Sequence, residues 1–247
     1  MRSSLSKRRG FTLMETVIAI GVLAVLLSAF MTVFGPAAAG IRRAISAQEA
    51  DRLTSTLERE LGTLRAGQTG IGITTAFDKA YKWISDANTA TSPTDGSVPP
   101  GIMLVYQYRG DPNATLRADG TMATYTGTNG IAGTDYIVQP MVRRFDDTTY
   151  LPDDIKALEG RIFAVRATQL IFKNGALVVG TPAKIVDPKT GSSSASSTAY
   201  PDAVVAFSAE FFSISSTAPG YLTGTTAAFK NAKLKNPIFT RNLAVRR

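Results

Sequence analysis

Cysteine and histidine are both absent from the 247 residues of this chain. Thiolate nucleophiles, histidine triads, imidazole general bases and the usual zinc sites are therefore excluded. What remains is carboxylate, amine, guanidinium and hydroxyl chemistry. Two acidic pairs, Asp146-Asp147 and Asp153-Asp154, flank the stretch TTYLP. A hard cation such as calcium takes several oxygen ligands at about 2.3–2.6 Å, and loop aspartates can supply them. These four residues are the weak calcium candidates. They lack EF-hand spacing, and the plainer reading makes them turn and helix-cap aspartates. The segment GQTGIG, Gly67 to Gly72, is glycine-rich but is not followed by lysine and reads as a loop rather than a phosphate cradle. At the C-terminus Lys230, Lys233, Lys235, Arg241, Arg246 and Arg247 surround Phe229 and Phe239. Cations with interleaved aromatics can hold single-stranded nucleic acid; the simpler reading is a solvated strand face and a charged tail. No spacing supports a carboxylate or Ser-Lys catalytic pair, so no enzyme and no cofactor is expected.

One carboxylate stands apart. Glu15 lies at the start of an apolar run, and the 26 residues from Thr16 to Ile41 carry no charge. As a helix they measure roughly 39 Å at about 1.5 Å per residue, enough for a bilayer core of about 30 Å. A charge at bilayer depth costs at least about 2.5–3.5 kcal/mol, less near the interface. Glu15 either marks the interfacial edge of the span or has a positive partner. The formal net charge is +8, and Arg2, Lys7, Arg8 and Arg9 supply four of it ahead of the apolar run. Basic residues before a span place that end in the cytoplasm. The run is longer than the apolar core of an ordinary secretory signal, although GPAAAG offers small residues like those of a cleavage site.

The order Gly10-Phe11-Thr12-Leu13-Met14-Glu15, behind Lys7-Arg8-Arg9 and ahead of the apolar run, resembles the prepilin signal of type IV pilins and type II secretion pseudopilins. The resemblance covers about residues 7–65. It implies a prepilin peptidase that cuts between Gly10 and Phe11 and N-methylates Phe11, while the apolar run stays in the mature protein. It also implies that Glu15 serves assembly by pairing with the Phe11 amine of a neighbouring subunit. The implied partners are other pilin or pseudopilin subunits, an inner-membrane assembly platform and membrane lipid; nucleic acid is not expected. The implied location is the inner membrane, single-pass, with the N-terminus cytoplasmic and the head in the periplasm or at the cell surface, then a filament. The expected function is a structural subunit of a type IV pilus or secretion pseudopilus. The alternative is a membrane-anchored module that recognises a secreted protein, a surface or DNA.

The elements that must position these residues follow from pattern. Gly35-Pro36 interrupts the apolar run and predicts a kink or local melting. Beyond it Ile41, Ile45, Leu53, Leu57, Leu61 and Leu64 form one stripe at helical period. Glu49 and Arg52 are spaced to pair at i,i+3 on the exposed side. One helix is expected from about Phe11 to Arg65. The expected division is a leader at 1–10, a transmembrane half at 11–41, an amphipathic half at 42–65 and a β-rich head at 66–247.

In the head, Ser85 to Gly101 and Asp187 to Asp202 are turn-rich loops. Strands are expected at Ile102 to Tyr108, at Asp135 to Phe145 with Pro140 favouring an edge or bulge, and at Ala203 to Ile214, with a last one at Ile238 to Val245. Lys173-Asn174-Gly175 separates two apolar runs as a hairpin with a type I′ turn. Short helices are expected at Thr74 to Ser85 and Pro152 to Leu158. A long helix followed mostly by strands gives an α+β fold, with a helical spine packed on an antiparallel sheet. The size of the head is more like the larger minor pilins or minor pseudopilins.

Overall fold

A computed structural model describes residues 12–70, 72–89, 98–222, 229 and 234–247. Helix α1 spans Leu13–Leu61. It is unbroken at Pro36, so the melting expected at Gly35-Pro36 does not occur; a proline removes one backbone bond, and the turns on either side continue. Contacts divide the chain into two units, Met1–Ile45 and Ser46–Arg247. In the first, the large apolar side chains from Leu13 to Phe34 are exposed. Ser28 and Thr32 return their hydroxyls to the carbonyls of Ala24 and Ala29 at 2.9 and 2.7 Å. This segment is long and apolar enough to cross a membrane, and its hydroxyls are satisfied within the helix, as an apolar solvent requires.

The second unit is an α+β head. After α1 come α2 (Ala76–Asp86), β1 (Met103–Gly110), β2 (Ile137–Arg144), α3 (Leu151–Lys156), β3 (Phe163–Lys173), β4 (Ala176–Val179), β5 (Val204–Ser213), α4 (Pro219–Leu222) and β6 (Phe239–Arg246). The strands form one sheet in the order β2-β1-β3-β5-β6, with β4 paired to β3, and every pairing is antiparallel.

Alternation along the strands builds two cores. Met103, Val105, Phe163, Val165, Phe207, Phe211, Leu243 and Val245 join Ala50, Leu53, Leu57 and Leu61 of α1 and Phe77, Trp83 and Ile84 of α2. Leu104, Tyr106, Tyr108, Ala164 and Phe212 face the other way, onto Leu151 and Ile155 of α3, Leu222, Phe229 and Leu234. The α1 stripe is thus as expected from Leu53 to Leu61, while Ile41 and Ile45 are exposed and Leu64 lies beyond the helix.

Local chemistry explains the element ends. α2 begins with a capping box: Thr75 accepts from the Asp78 amide, and Asp78 accepts from the Thr75 amide. Asn174 and Gly175 have φ of 53° and 81°, the left-handed pair that a type I′ hairpin needs. β2 is an edge strand, as Pro140 requires. The Phe145 amide bonds the Ile102 carbonyl; alternation then turns Arg143, Met141 and Gln139 amides toward β1 and places Pro140, which has none, on the free side.

Glu49 and Arg52 do not pair with each other. The Glu49 carboxylate lies 3.5 Å from the Arg161 guanidinium, and Arg52 donates to Gln107 Oε1 at 2.9 Å. Partners off the helix outcompete the i,i+3 neighbour because Arg161 also offers its backbone amide to Glu49.

Leu57→Ala should destabilise the protein by about 2–5 kcal/mol, the cost of a cavity in a packed core. Phe172→Ala, at a side chain 61% exposed, should change stability by less than about 0.5 kcal/mol. Urea unfolding of the detergent-solubilised full chain checks both.

Candidate processing and assembly site

The residues that open α1 form a closed unit. Thr12 is the last residue before the helix. Its hydroxyl accepts from the Glu15 amide at 3.2 Å, and the Glu15 carboxylate accepts from the Thr12 amide at 2.8 Å. The Thr12 hydroxyl also donates to Glu15 Oε2 at 3.0 Å. This is a capping box, Thr-x-x-Glu, in which two amides left over at a helix start are satisfied reciprocally. The Thr-x-x-Glu spacing is the sequence signal of this box. The carboxylate also sits in the first turn, where the helix dipole favours a negative group. Gly10 and Phe11 lie outside the described residues.

The head gathers its own ionic cluster on the sheet face opposite α1. Asp154, with no exposed surface, accepts from Tyr106 Oη at 2.6 Å, Arg143 Nε at 2.7 Å and Arg117 Nη1 at 2.6 Å. Arg143, also buried, reaches Asp119 at 3.1 Å and Asp147 at 3.3 Å, and donates to Thr121 at 3.2 Å. Its guanidinium lies over Tyr150, 4.8 Å from the ring centre. Tyr106 lies opposite Met141 and Arg143 opposite Leu104, so both side chains project from one face of adjacent strands. Burial, then the Asp154 charge, pushes the Tyr106 phenol well above its usual range. Burial also pushes on Asp119, but the Thr121 hydroxyl and amide and Arg143 overcome it and hold that carboxyl below its ordinary value.

The four calcium candidates therefore face cations. Asp154 is in this cluster, not in a solvated turn. Asp147 touches Arg143 and caps its own turn through the Thr149 and Tyr150 amides. Asp146 takes a two-pronged contact from Arg144, and Asp153 pairs with Lys156. Among the described residues, no group of three or more acidic residues is placed to hold a metal ion. A cavity of about 450 Å³ borders the cluster, walled by Asp119, Arg143, Arg144, Tyr150, Trp83 and Gln68 among others.

The C-terminal cations are dispersed. Arg241 pairs with Asp51. Arg247 donates to the carbonyls of Ser197 and Tyr200 and stacks over Phe77. Lys230 and Lys233 lie outside the described residues. Phe229 is buried and Phe239 packs on the α1-side core, so neither aromatic stands between cations on a surface.

Residues 5–31 match the family model for the prokaryotic N-terminal methylation motif. No curated protein and no solved structure matches the chain. Together with the exposed apolar helix, the matched motif makes the N-terminus that of a type IV pilin-like prepilin with a membrane-anchoring segment.

Removing one partner from a buried ion pair typically costs about 3–5 kcal/mol. Arg143→Met should destabilise the head by that amount in urea unfolding. The sign for Asp119 follows from its lowered carboxyl. The unfolded chain takes up the proton first, so the stabilisation is present above about pH 4 and is lost as pH falls through the folded value. Asp119→Asn should flatten the acid limb of the stability–pH curve.

Proposed function

We propose that this type IV pilin-like prepilin is a structural subunit, cut between Gly10 and Phe11, N-methylated on Phe11, and assembled into or priming a type IV pilus or a type II secretion pseudopilus. The observation that carries the reading is the methylation motif over residues 5–31 continuing directly into an apolar helix. The motif points to a structural subunit rather than an enzyme. The size of the head favours a larger minor pilin or minor pseudopilin.

The capping geometry supports a specific part for Glu15. Phe11 immediately precedes Thr12 in sequence, so cleavage after Gly10 creates a positive amine one residue ahead of the cap. Among the described residues the Thr12 contacts fall on Glu15 Oε2, and the second oxygen of the carboxylate is the acceptor for an incoming amine. Pairing there with the terminus of a neighbouring subunit would offset the cost of a charge at membrane depth. It would also set the axial register between helices.

Co-expression with a prepilin peptidase should shorten the chain by Met1 to Gly10 and add one methyl group to Phe11. An intact leader in the mass spectrum under those conditions counts against the whole reading. A Glu15→Ala variant should still be processed but should enter filaments at least about tenfold less, a factor equal to about 1.4 kcal/mol. Normal incorporation would remove Glu15 from assembly.

A further inference from the structure

The C-terminal end of α1 carries a second cluster, independent of the processing motif. Lys79, on α2, is completely buried. Its amine lies 3.1 Å from Glu60 Oε1 and 3.2 Å from Gln68 Oε1, and it also donates to the carbonyls of Glu60 and Thr63. Glu60, itself 3% exposed, is the last acidic residue of α1. The same Oε1 of Glu60 accepts from Gln68 Nε2 at 3.3 Å. The backbone amide of Arg65 donates to Gln68 Oε1 at 2.9 Å, and the Arg65 guanidinium holds the other Glu60 oxygen at 2.8–2.9 Å. One carboxylate oxygen thus touches both a buried amine and the nitrogen of a carboxamide whose carbonyl is polarised by a fixed donor.

These are the parts of an amide exchange. The amine is a nucleophile only when neutral. Burial disfavours the ammonium form, which outweighs the Glu60 charge and holds Lys79 below the ordinary lysine value. The amide carbonyl needs a donor where negative charge develops, and the Arg65 amide stands there. Proximity replaces the collision of two separate molecules. Trp83, whose ring centre is 4.9 Å from the Lys79 amine, forms an apolar wall.

We propose that Lys79 and Gln68 become joined by an isopeptide bond, with Glu60 as the proton carrier. Glu60 takes a proton from the Lys79 ammonium. The freed lone pair attacks Gln68 Cδ, and the Nζ–Cδ bond forms while the carbonyl electrons move onto Oε1. Glu60 delivers its proton to Nε2, the Cδ–Nε2 bond breaks as the carbonyl reforms, and ammonia departs. The remaining surplus proton on Nζ passes through Glu60 and leaves with ammonia as ammonium, so the carboxylate is regenerated. Gln68 borders the cavity of about 450 Å³, which gives ammonia a way out. The bond would link residues eleven apart and clasp the loop that leaves α1 to the first helix of the head.

The test is the mass of the full-length chain, made without a prepilin peptidase and measured after denaturation. The expected mass is that of the sequence less one ammonia. A proteolytic map should then show one branched peptide containing Gln68 and Lys79. Glu60→Gln and Lys79→Met should each restore the full mass of their sequences. A wild-type chain at full sequence mass, with Gln68 and Lys79 in separate unmodified peptides, overturns the proposal and leaves Lys79 as a noncovalent cap of α1. Ammonia lost from any other residue overturns it equally. A Glu60→Gln chain that still carries the branched peptide removes Glu60 from the reaction.

Discussion

The head depends on one strip of helix. Ala50, Leu53, Leu57 and Leu61 of α1 are almost entirely removed from solvent, and they join residues of the sheet and α2 in one core. Apolar burial is worth about 25 cal/mol per Å², and the α1 stripe shares that core with Phe77, Ala80, Trp83 and Ile84 of α2. The helix that carries the membrane-anchoring segment is therefore also a structural member of the head. A cut within Ala50 to Leu61 would therefore open the core of the head.

The opposite face of the sheet is organised differently. A two-faced antiparallel sheet needs cover on both sides, and here α3, Phe229 and Leu234 provide it. Set into this cover is the Asp154–Arg143 pair with Tyr106, Arg117, Asp119 and Thr121 around it. Such a cluster adds little over a well-packed apolar replacement, yet it penalises any arrangement that separates its members. It ties α3 and the loop carrying Arg117 and Asp119 to the edge strand β2. That edge is also blunted by Pro140, which lacks the amide an additional strand would use.

At the other end of α1, Glu15 has one role in the chain, and the proposed filament would give the same group a second. Within the chain it closes the capping box with Thr12. In the proposed filament it also receives a terminal amine. The two are compatible because a carboxylate has two oxygens and about four acceptor sites. The cap holds the carboxylate against Thr12, so under the proposed function the sequence order Phe-Thr-x-x-Glu would serve folding and assembly together.

Much of this was legible in the sequence by itself, because local rules act over a few residues. The apolar run and Glu15, the α1 stripe, the Asn174-Gly175 turn, the edge position of Pro140 and the strand and helix candidates all rest on spacing, φ preference or a missing amide. They reappear close to the expected residues, and the α+β class follows from their order. The tertiary structure alone decided the partners. Glu49 and Arg52 are correctly spaced for each other and bond elsewhere. Asp154 looks like a helix-cap residue and is the centre of a buried cluster, because strand register brings Arg143 and Tyr106 to one face. Glu60, Gln68 and Lys79 are unremarkable in the chain and converge only when α2 folds back on the end of α1. Charge pairing depends on distance in space, and the sequence encodes that distance only through the whole fold.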